Sequence, residues 1–281
     1  MVSKQISIKE IIERIAPVDH EWKEKAKERT AQLVMPTRAM GRLHDISERL
    51  CGIQKTLKPK IDRKAVLVMA GDHGVVEEGV SAYPQEVTGA MVQTFLAGGA
   101  GINAISRHIG ADVQVVDMGI IQDLDPDSID GGHKLLNRKL SHGTANLAKA
   151  PAMTRQLAEQ AILIGFQLAS DLFRNGIEIL GTGDMGIGNT TPSAAIGVVI
   201  TGKTPEQLVG RGTGIDDNSL INKREVVTRG IQVNNPDPRD GLDVLSKVGG
   251  FEIGGIAGCF LAGHFTAVPW LSTALFQPQG L

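Results

Sequence analysis

The side chains that could do chemistry in this sequence fall in three stretches, and glycine surrounds all of them. Gly181-Thr-Gly-Asp-Met-Gly-Ile-Gly-Asn-Thr-Thr-Pro192 is entered from the apolar run Ile177-Glu-Ile-Leu180 and left through a helix start. Thr190 or Thr191 reads as the N-cap and Pro192 as the first helical residue. Backbone N–H groups at such a turn, with the positive end of a helix dipole behind them, make a site for an anion, most often a phosphate. Asp184 would repel a phosphate held at the same spot, so the sequence places it against a ribose hydroxyl or a cationic ring. A second glycine-rich turn, Gly210-Arg-Gly-Thr-Gly214, precedes a helix that carries Lys223. Two such turns and a lysine are what a mononucleotide phosphate and ribose require. The plainer reading makes Lys223 a solvated helix lysine. In the third stretch, Asp72 and His73 follow the continuous apolar run Ala65-Val-Leu-Val-Met-Ala70, which reads as a strand buried on both faces of a parallel sheet. Ligands gather at the carboxyl ends of such strands, although Asp and His are also ordinary turn residues.

Two letter patterns are set aside on context. Gly197-Val-Val-Ile-Thr-Gly202-Lys-Thr204 matches the phosphate-loop pattern, but Val198, Val199 and Ile200 continue a helix begun at Pro192 rather than leaving a strand. Gly202 reads as the end of that helix and Thr204-Pro-Glu-Gln207 as the capping signal of the next. Gly181-x-Gly-x-x-Gly186 matches the dinucleotide fingerprint and does follow a strand. That fingerprint also needs a helix starting within the glycines and a second strand ending in an acidic residue about 20 residues on. Pro192 delays the helix and residues 201–208 show no strand, so an NAD-dependent oxidoreductase is the weaker alternative.

The elements that must position these residues alternate. Two helices, one from Thr88 with Met91, Val92, Phe95 and Leu96 on one face and one over residues 102–109, separate the first strand from Asp112-Val-Gln-Val-Val-Asp-Met118. Thr154 caps a long helix in which Leu157, Ala161, Ile164, Leu168 and Leu172 recur at helical spacing. Residues 121–150, with Gly131-Gly132, His133 and His142, read as irregular, and these histidines lack metal-ligand spacing, so no metal is expected. The fold class is α/β: a Rossmann-like, mostly parallel sheet flanked by helices. Ahead of it, the capping box Ser7-Ile-Lys-Glu10, a helix capped by Asp19 and the face Leu43, Ile46, Leu50 indicate a small helical subdomain. The expected division is residues 1–58 for that subdomain, 59–263 for the α/β nucleotide-binding domain and 264–281 for a tail of different character.

Composition narrows the classes. A net charge of −2 and scattered basic residues give no footprint for nucleic acid. Cys51 and Cys259 are isolated, which fits a reducing cytoplasm rather than a disulfide framework. No run approaches the roughly 18 apolar residues of a membrane span, and the charged N-terminus is not a signal peptide.

Ala70-Gly-Asp-His-Gly-Val, Gly79-Val-Ser-Ala-Tyr-Pro-Gln85, Phe95-Leu-Ala-Gly-Gly-Ala100, Pro151-Ala-Met-Thr154, Gly186-Ile-Gly-Asn-Thr-Thr191, Gly210-Arg-Gly-Thr-Gly214 and Gly250-Phe-Glu-Ile253 occur in that order. Together they resemble the nicotinate-nucleotide:dimethylbenzimidazole phosphoribosyltransferases of cobalamin lower-ligand synthesis, over residues 36–261. The resemblance implies transfer of phosphoribosyl from nicotinate mononucleotide to a benzimidazole with inversion at the anomeric carbon, giving α-ribazole phosphate and nicotinate, with no cofactor and no metal. It assigns the phosphate to Gly186, Gly212 and Lys223, with Gly188 and Asn189 beside them; Asp72 and His73 are expected at the substrate from their place at the end of the first strand. Asp184 stands where the family commonly has Glu, and the benzimidazole slot corresponds to Ser81, Tyr83 and Met91. It further implies a homodimer. The family's presumed general base is the glutamate of a Glu-Gly-Thr-Gly segment that this sequence does not contain. The expectation is therefore a truncated or frame-altered form, with Asp184 as the remaining catalytic candidate, that binds mononucleotide better than it transfers ribose. A non-catalytic mononucleotide-binding protein is the alternative.

Overall fold

The structure is a computed structural model that describes residues 6–124, 133, 135–266 and 268–272. Three short helices come first: α1 (Ile8–Glu13), α2 (His20–Ala31) and α3 (Arg42–Gln54). The apolar run after them becomes β1 (Lys64–Gly71), whose last five residues are all buried. A 3-10 turn (Gly74–Glu78), α4 (Val87–Leu96) and α5 (Gly101–Ile109) lead to β2 (Ala111–Gly119). After β3 (Leu135–Asn137) the long α6 (Arg155–Arg174) crosses to β4 (Ile179–Met185). The chain continues through α7 (Thr190–Thr201), α8 (Pro205–Leu208), α9 (Asp217–Asn234), α10 (Gly241–Val248) and α11 (Phe251–Thr266) to β5 (Trp270–Ser272).

The five strands form one sheet in the order β3-β2-β1-β4-β5, and every adjacent pair is parallel. Such a sheet must be covered on both faces. Leu67, Met69, Val116, Met118 and Leu180 meet α6 and α11 on one face, while Val68, Ala70, Val113 and Val115 meet α4 and α5 on the other. A third cluster, with Ala195, Val227, Val244 and Val248, joins α7, α9 and α10. α6 and α11 touch backbone to backbone: a Cβ on Gly165 would fall 1.8 Å from the Gly255 oxygen. Phe166 and Phe265 stack edge to face above that contact, 5.5 Å between ring centres. α1 packs on α6 and α11, whereas α2 and α3 pack on each other.

Several boundaries differ from those the sequence suggests. Gly181 and Gly183 belong to β4 rather than to a loop, in register with Val66 and Val68 of β1; a Cβ on Gly181 would lie 3.3 Å from Val66 Cγ2. α7 begins at Thr190 with Asn189 in the cap position, so Pro192 is its third residue, where its absent N–H is one of the four that no helix can satisfy. β3 lies within a segment that reads as irregular, and α10, capped by Asp240, follows the Asn235-Pro-Asp-Pro238 break. α11 runs past Gly263 to Thr266 and β5 pairs with β4, so the described part of the supposed tail is an integral part of the sheet layer. Gly131, Gly132 and residues 273–281 lie outside the described residues. No helix among the described residues is long and apolar enough to cross a membrane.

Candidate active site at the switch point of the sheet

From β1 the chain moves outward to β2 and β3, then returns to lay β4 on the opposite side of β1. That reversal opens a crevice at the carboxyl ends of β1 and β4, the place where open α/β sheets take ligands. Asp72 and His73 leave β1 there, and Asp184, Gly186, Gly188 and Asn189 sit at or just beyond the end of β4.

On one side of the crevice stands Lys223. It is 1% exposed, and its Nζ donates to Thr190 Oγ1 at 2.6 Å. Among the described residues no carboxylate pairs with it, and burial alone pushes its ammonium down to about 8. Thr190 is the first residue of α7, so a lone buried cation meets the positive end of a helix. Gly212 makes room for the meeting. Its φ is +51°, and a Cβ there would lie 2.8 Å from Thr190 Oγ1 and 3.0 Å from Lys223 Nζ. Positive charge converging without a partner is the electrostatic signature of an anion site.

On the other side carboxylates gather. Asp184 is drawn up to about 6, first by burial and then by the charge of Glu252, against which a hydrogen bond from Asn189 and the nearby His73 act. Asn189 Nδ2 donates to Asp184 Oδ2. His73 Nε2 lies 3.1 Å from Glu252 Oε1, and both side chains are wholly buried. Burial disfavours the imidazolium, but the charge of Glu252, with Asp72 and Asp184 adding to it, leaves His73 raised from its ordinary value. Asp72 is also raised, chiefly by burial, and its Oδ2 accepts from the Ile121 N–H at 2.8 Å, which pins the loop after β2. Asp117 does the same for Ile120 at 2.9 Å.

Between the two sides the backbone is tight. A Cβ on Gly186 would fall 2.1 Å from the Gly71 oxygen, so the β4 loop lies directly on the end of β1. The Ile187 N–H donates to Thr88 Oγ1 at 3.0 Å, tying that loop to α4.

The structure thus brings together Asp72, His73, Asp184, Gly186, Gly188 and Asn189, and sets Gly212 with Lys223 beside Thr190. Lys223 is not a solvated helix lysine. Ser81 joins from a distance in sequence: its Oγ lies 3.3 Å from Thr213 Oγ1, and the Ala82 N–H donates to the same hydroxyl at 2.9 Å, bracing the Gly210–Gly214 turn. Tyr83 is 54% exposed. Met91 lines a cavity of about 280 Å³ with Val66, Val68, Phe95, Gly183 and Asp184; neither Ser81 nor Tyr83 lines it. A larger groove, about 570 Å³, lies along α8 and α9 by Glu206 and Arg224 and holds none of these residues, so size alone would mislocate the site. Glu252 carries no role in the sequence reading. Its signal was a lone charge between Gly249-Gly-Phe and the otherwise apolar start of α11.

The sequence pattern of a family described as "Phosphoribosyltransferase" matches residues 15–271. The nicotinate-nucleotide–dimethylbenzimidazole phosphoribosyltransferase of Desulfotalea psychrophila is 48% identical over 265 residues, which cover 92% of this chain and 74% of that one. The protein of the same name from Syntrophobacter fumaroxidans is 47% identical over 271 residues, covering 96% and 75%. The crystal structure of CobT from Thermus thermophilus superposes with a TM-score of 0.84 at 44% identity, covering 91% of this chain and 75% of that one. The match extends beyond the 36–261 span of the sequence motifs and takes in the described end of α11. With a parallel sheet, an unpaired buried cation at a helix start and a carboxylate cluster opposite it, the chain belongs to the nicotinate-nucleotide–dimethylbenzimidazole phosphoribosyltransferase family.

Proposed function

We propose that the protein transfers the phosphoribosyl group of nicotinate mononucleotide to dimethylbenzimidazole, giving α-ribazole phosphate and nicotinate. The observation that carries this reading is Lys223, a buried ammonium with no carboxylate partner among the described residues, held on Thr190 at the start of α7 behind Gly212. A phosphate monoester supplies the missing charge and can also accept from the Thr190 hydroxyl, whose oxygen takes the Lys223 proton. Gly186, Gly188 and Asn189 form the adjoining wall.

With the phosphate fixed there, the ribose extends toward Asp184. The bond from C1′ to the pyridinium nitrogen breaks with its electron pair going to that nitrogen, so nicotinate leaves without needing a proton. The benzimidazole attacks C1′ from the opposite face through its lone-pair nitrogen, and the proton on its other ring nitrogen passes to a carboxylate. Asp184 is the acceptor this site offers, since a carboxyl titrating at about 6 exchanges a proton near neutrality. The apolar cavity beside it, with Met91 and Phe95, suits a flat heterocycle. Ser81 and the Ala82 N–H brace the Gly210–Gly214 turn through Thr213, and the Tyr83 N–H donates to Ser81 Oγ at 3.3 Å, so this loop acts on the benzimidazole through the phosphate turn.

The test is incubation with nicotinate mononucleotide and dimethylbenzimidazole, following nicotinate and α-ribazole phosphate by chromatography. Stoichiometric formation of both supports the reading. Absence of nicotinate mononucleotide binding by calorimetry rejects it.

We also read the protein as a homodimer acting in the cytoplasm. α2 and α3 form an arm on which Leu33, Val34, Met35, Met40, Leu43 and Ile46 are exposed, an apolar surface suited to a second copy. Cys51 and Cys259 are buried free thiols, as a reducing compartment allows. Light scattering on the purified chain tests the dimer; a monomer mass across the micromolar range rejects it.

A further inference from the structure

His73 and Glu252 are ionisable side chains that the reaction above does not use, and both are completely buried. The imidazole Nε2 lies 3.1 Å from Oε1, an ion-pair distance without the alignment of a hydrogen bond. Among the described residues, no side-chain atom of either makes an aligned hydrogen bond. A buried ion pair with unfilled hydrogen-bonding atoms is a poor stabiliser, so packing alone does not account for it. The chain nevertheless keeps glycine on three sides of it. A Cβ on Gly250 would fall 2.5 Å from Glu252 Oε1 and 2.6 Å from His73 Cε1, and one on Gly71 would fall 3.1 Å from Glu252 Oε2. A Cβ on Gly186 would stand 3.2 Å from His73 Nε2. Gly186 follows Asp184 by two residues, so the pair backs directly onto the strand end that carries the site's half-buried carboxylate.

We propose that His73 and Glu252 are positioning residues for the transfer reaction, an ion pair behind Asp184 whose two opposite charges set how readily that carboxylate takes and releases the substrate's proton. This rests on the reading of Asp184 as the proton acceptor. In the step concerned, the N–H bond of the benzimidazole breaks, its electron pair stays on the ring, and an O–H bond forms on Asp184. Glu252 favours the protonated carboxyl by repulsion, and His73 favours the ionised one by attraction. The charges acting on Asp184 are Glu252 from α11 and His73 from the loop after β1, with Asn189 donating from its own loop. Those acting on His73 are Glu252, Asp72 and Asp184. Lys223 on α9 is displaced by burial alone and stands outside this group.

The experiment is carboxyl-carbon NMR titration of Asp184 in the free protein, with its signal assigned by loss in Asp184→Asn. Glu252→Gln should lower the midpoint and His73→Gln should raise it, each by about half a pH unit or more, with Glu252→Asp restoring part of the first shift. The acid limb of kcat/KM should move in the same two directions while KM for nicotinate mononucleotide stays within about twofold. Should the buried variants not fold, Asp184→Asn supplies the reciprocal measurement, because coupling acts equally on both partners. The His73 imidazole midpoint should then fall by about half a unit. The NMR shifts do not depend on turnover, so moved midpoints with an unmoved kcat/KM profile would reject Asp184 as the acceptor and keep the electrostatic coupling. Unmoved midpoints, or both variants shifting Asp184 the same way, would overturn the proposal and leave the pair a packing role.

Discussion

The phosphate cradle and the carboxylate cluster bury charge at the same end of one sheet, and they do it in opposite ways. Lys223 is a single cation that meets a hydroxyl and a helix start, an excess of positive charge. Asp184, Glu252 and Asp72 surround the one imidazole of His73, an excess of negative charge. Each excess costs stability in the free protein and is relieved by a different part of the substrate. An anionic phosphate answers the first, and the positive charge that develops on ribose C1′ as the pyridine departs answers the second. On the proposed reading the difference orients the nucleotide, with its phosphate toward α7 and α9 and its anomeric carbon toward β4.

The sharpest way to break that division is Lys223→Met. Without the ammonium, the affinity for nicotinate mononucleotide should fall by about 100-fold or more, as when one partner of a desolvated charge pair is lost. The free protein should become more stable at pH 7, because a buried unpaired charge has been removed. The pH dependence carries a definite sign. Lys223 titrates at about 8 in the folded chain and at 10.5 unperturbed, so between those values the unfolded chain holds the extra proton and stability rises with pH. Urea unfolding at pH 8 and pH 10 should show a gain of up to about 3 kcal/mol that the Met variant lacks. An equal gain in both proteins would show that the cradle holds no strained cation.

Gly212→Ala attacks the same region with a smaller effect. The added Cβ meets Thr190 Oγ1 at 2.8 Å in a left-handed backbone conformation, at a conformational cost of about 1–2 kcal/mol. Calorimetry should show nucleotide binding weakened by about 10-fold, with kcat little changed, because the carboxylate cluster is untouched.

The two regions also differ in how far they could be read from sequence. The cradle's signals are local: glycines at turns, a helix start, a lysine on the next helix. Each narrows the backbone within a few residues, so the two glycine-rich turns and Lys223 stand out in the sequence itself, and the family resemblance then singles out Gly186 and Gly212 within them. β1 was legible for the same reason, as an unbroken apolar run. Glu252 was not, because what makes it matter is its approach to His73 across the whole length of the α/β domain. The end of β4 was hidden differently. Gly181 and Gly183 read as loop because glycine carries no side chain to show a strand's alternation, yet both pair with β1, and at Gly181 the absent side chain leaves room for Val66. β3, at three residues, is too short to show any period.

The smallest effect is expected at the residue that touches both regions. Asn189 stands at the start of α7 without a side-chain hydrogen bond to the helix, and instead donates to Asp184 Oδ2. Asn189→Ala should leave the cradle intact, with nucleotide affinity changed by less than about twofold, because the backbone groups of α7 are unchanged. Its effect falls on Asp184. A carboxyl raised from 3.8 to about 6 holds its proton in the folded chain where the unfolded chain has lost it. That stability is fully present below 3.8 and is lost as pH rises through 6. Removing a donor to the ionised form raises the midpoint further, by about half a unit. At pH 7 this costs up to about 0.7 kcal/mol more. The acid limb of kcat/KM should shift upward by the same half unit, slowing the enzyme about two- to threefold at pH 6 and leaving it unchanged at pH 8. If nucleotide affinity falls together with the acid limb, the cradle and the cluster act as one coupled unit through Asn189. If only the limb moves, they remain two sites, one that holds the phosphate and one that handles the proton.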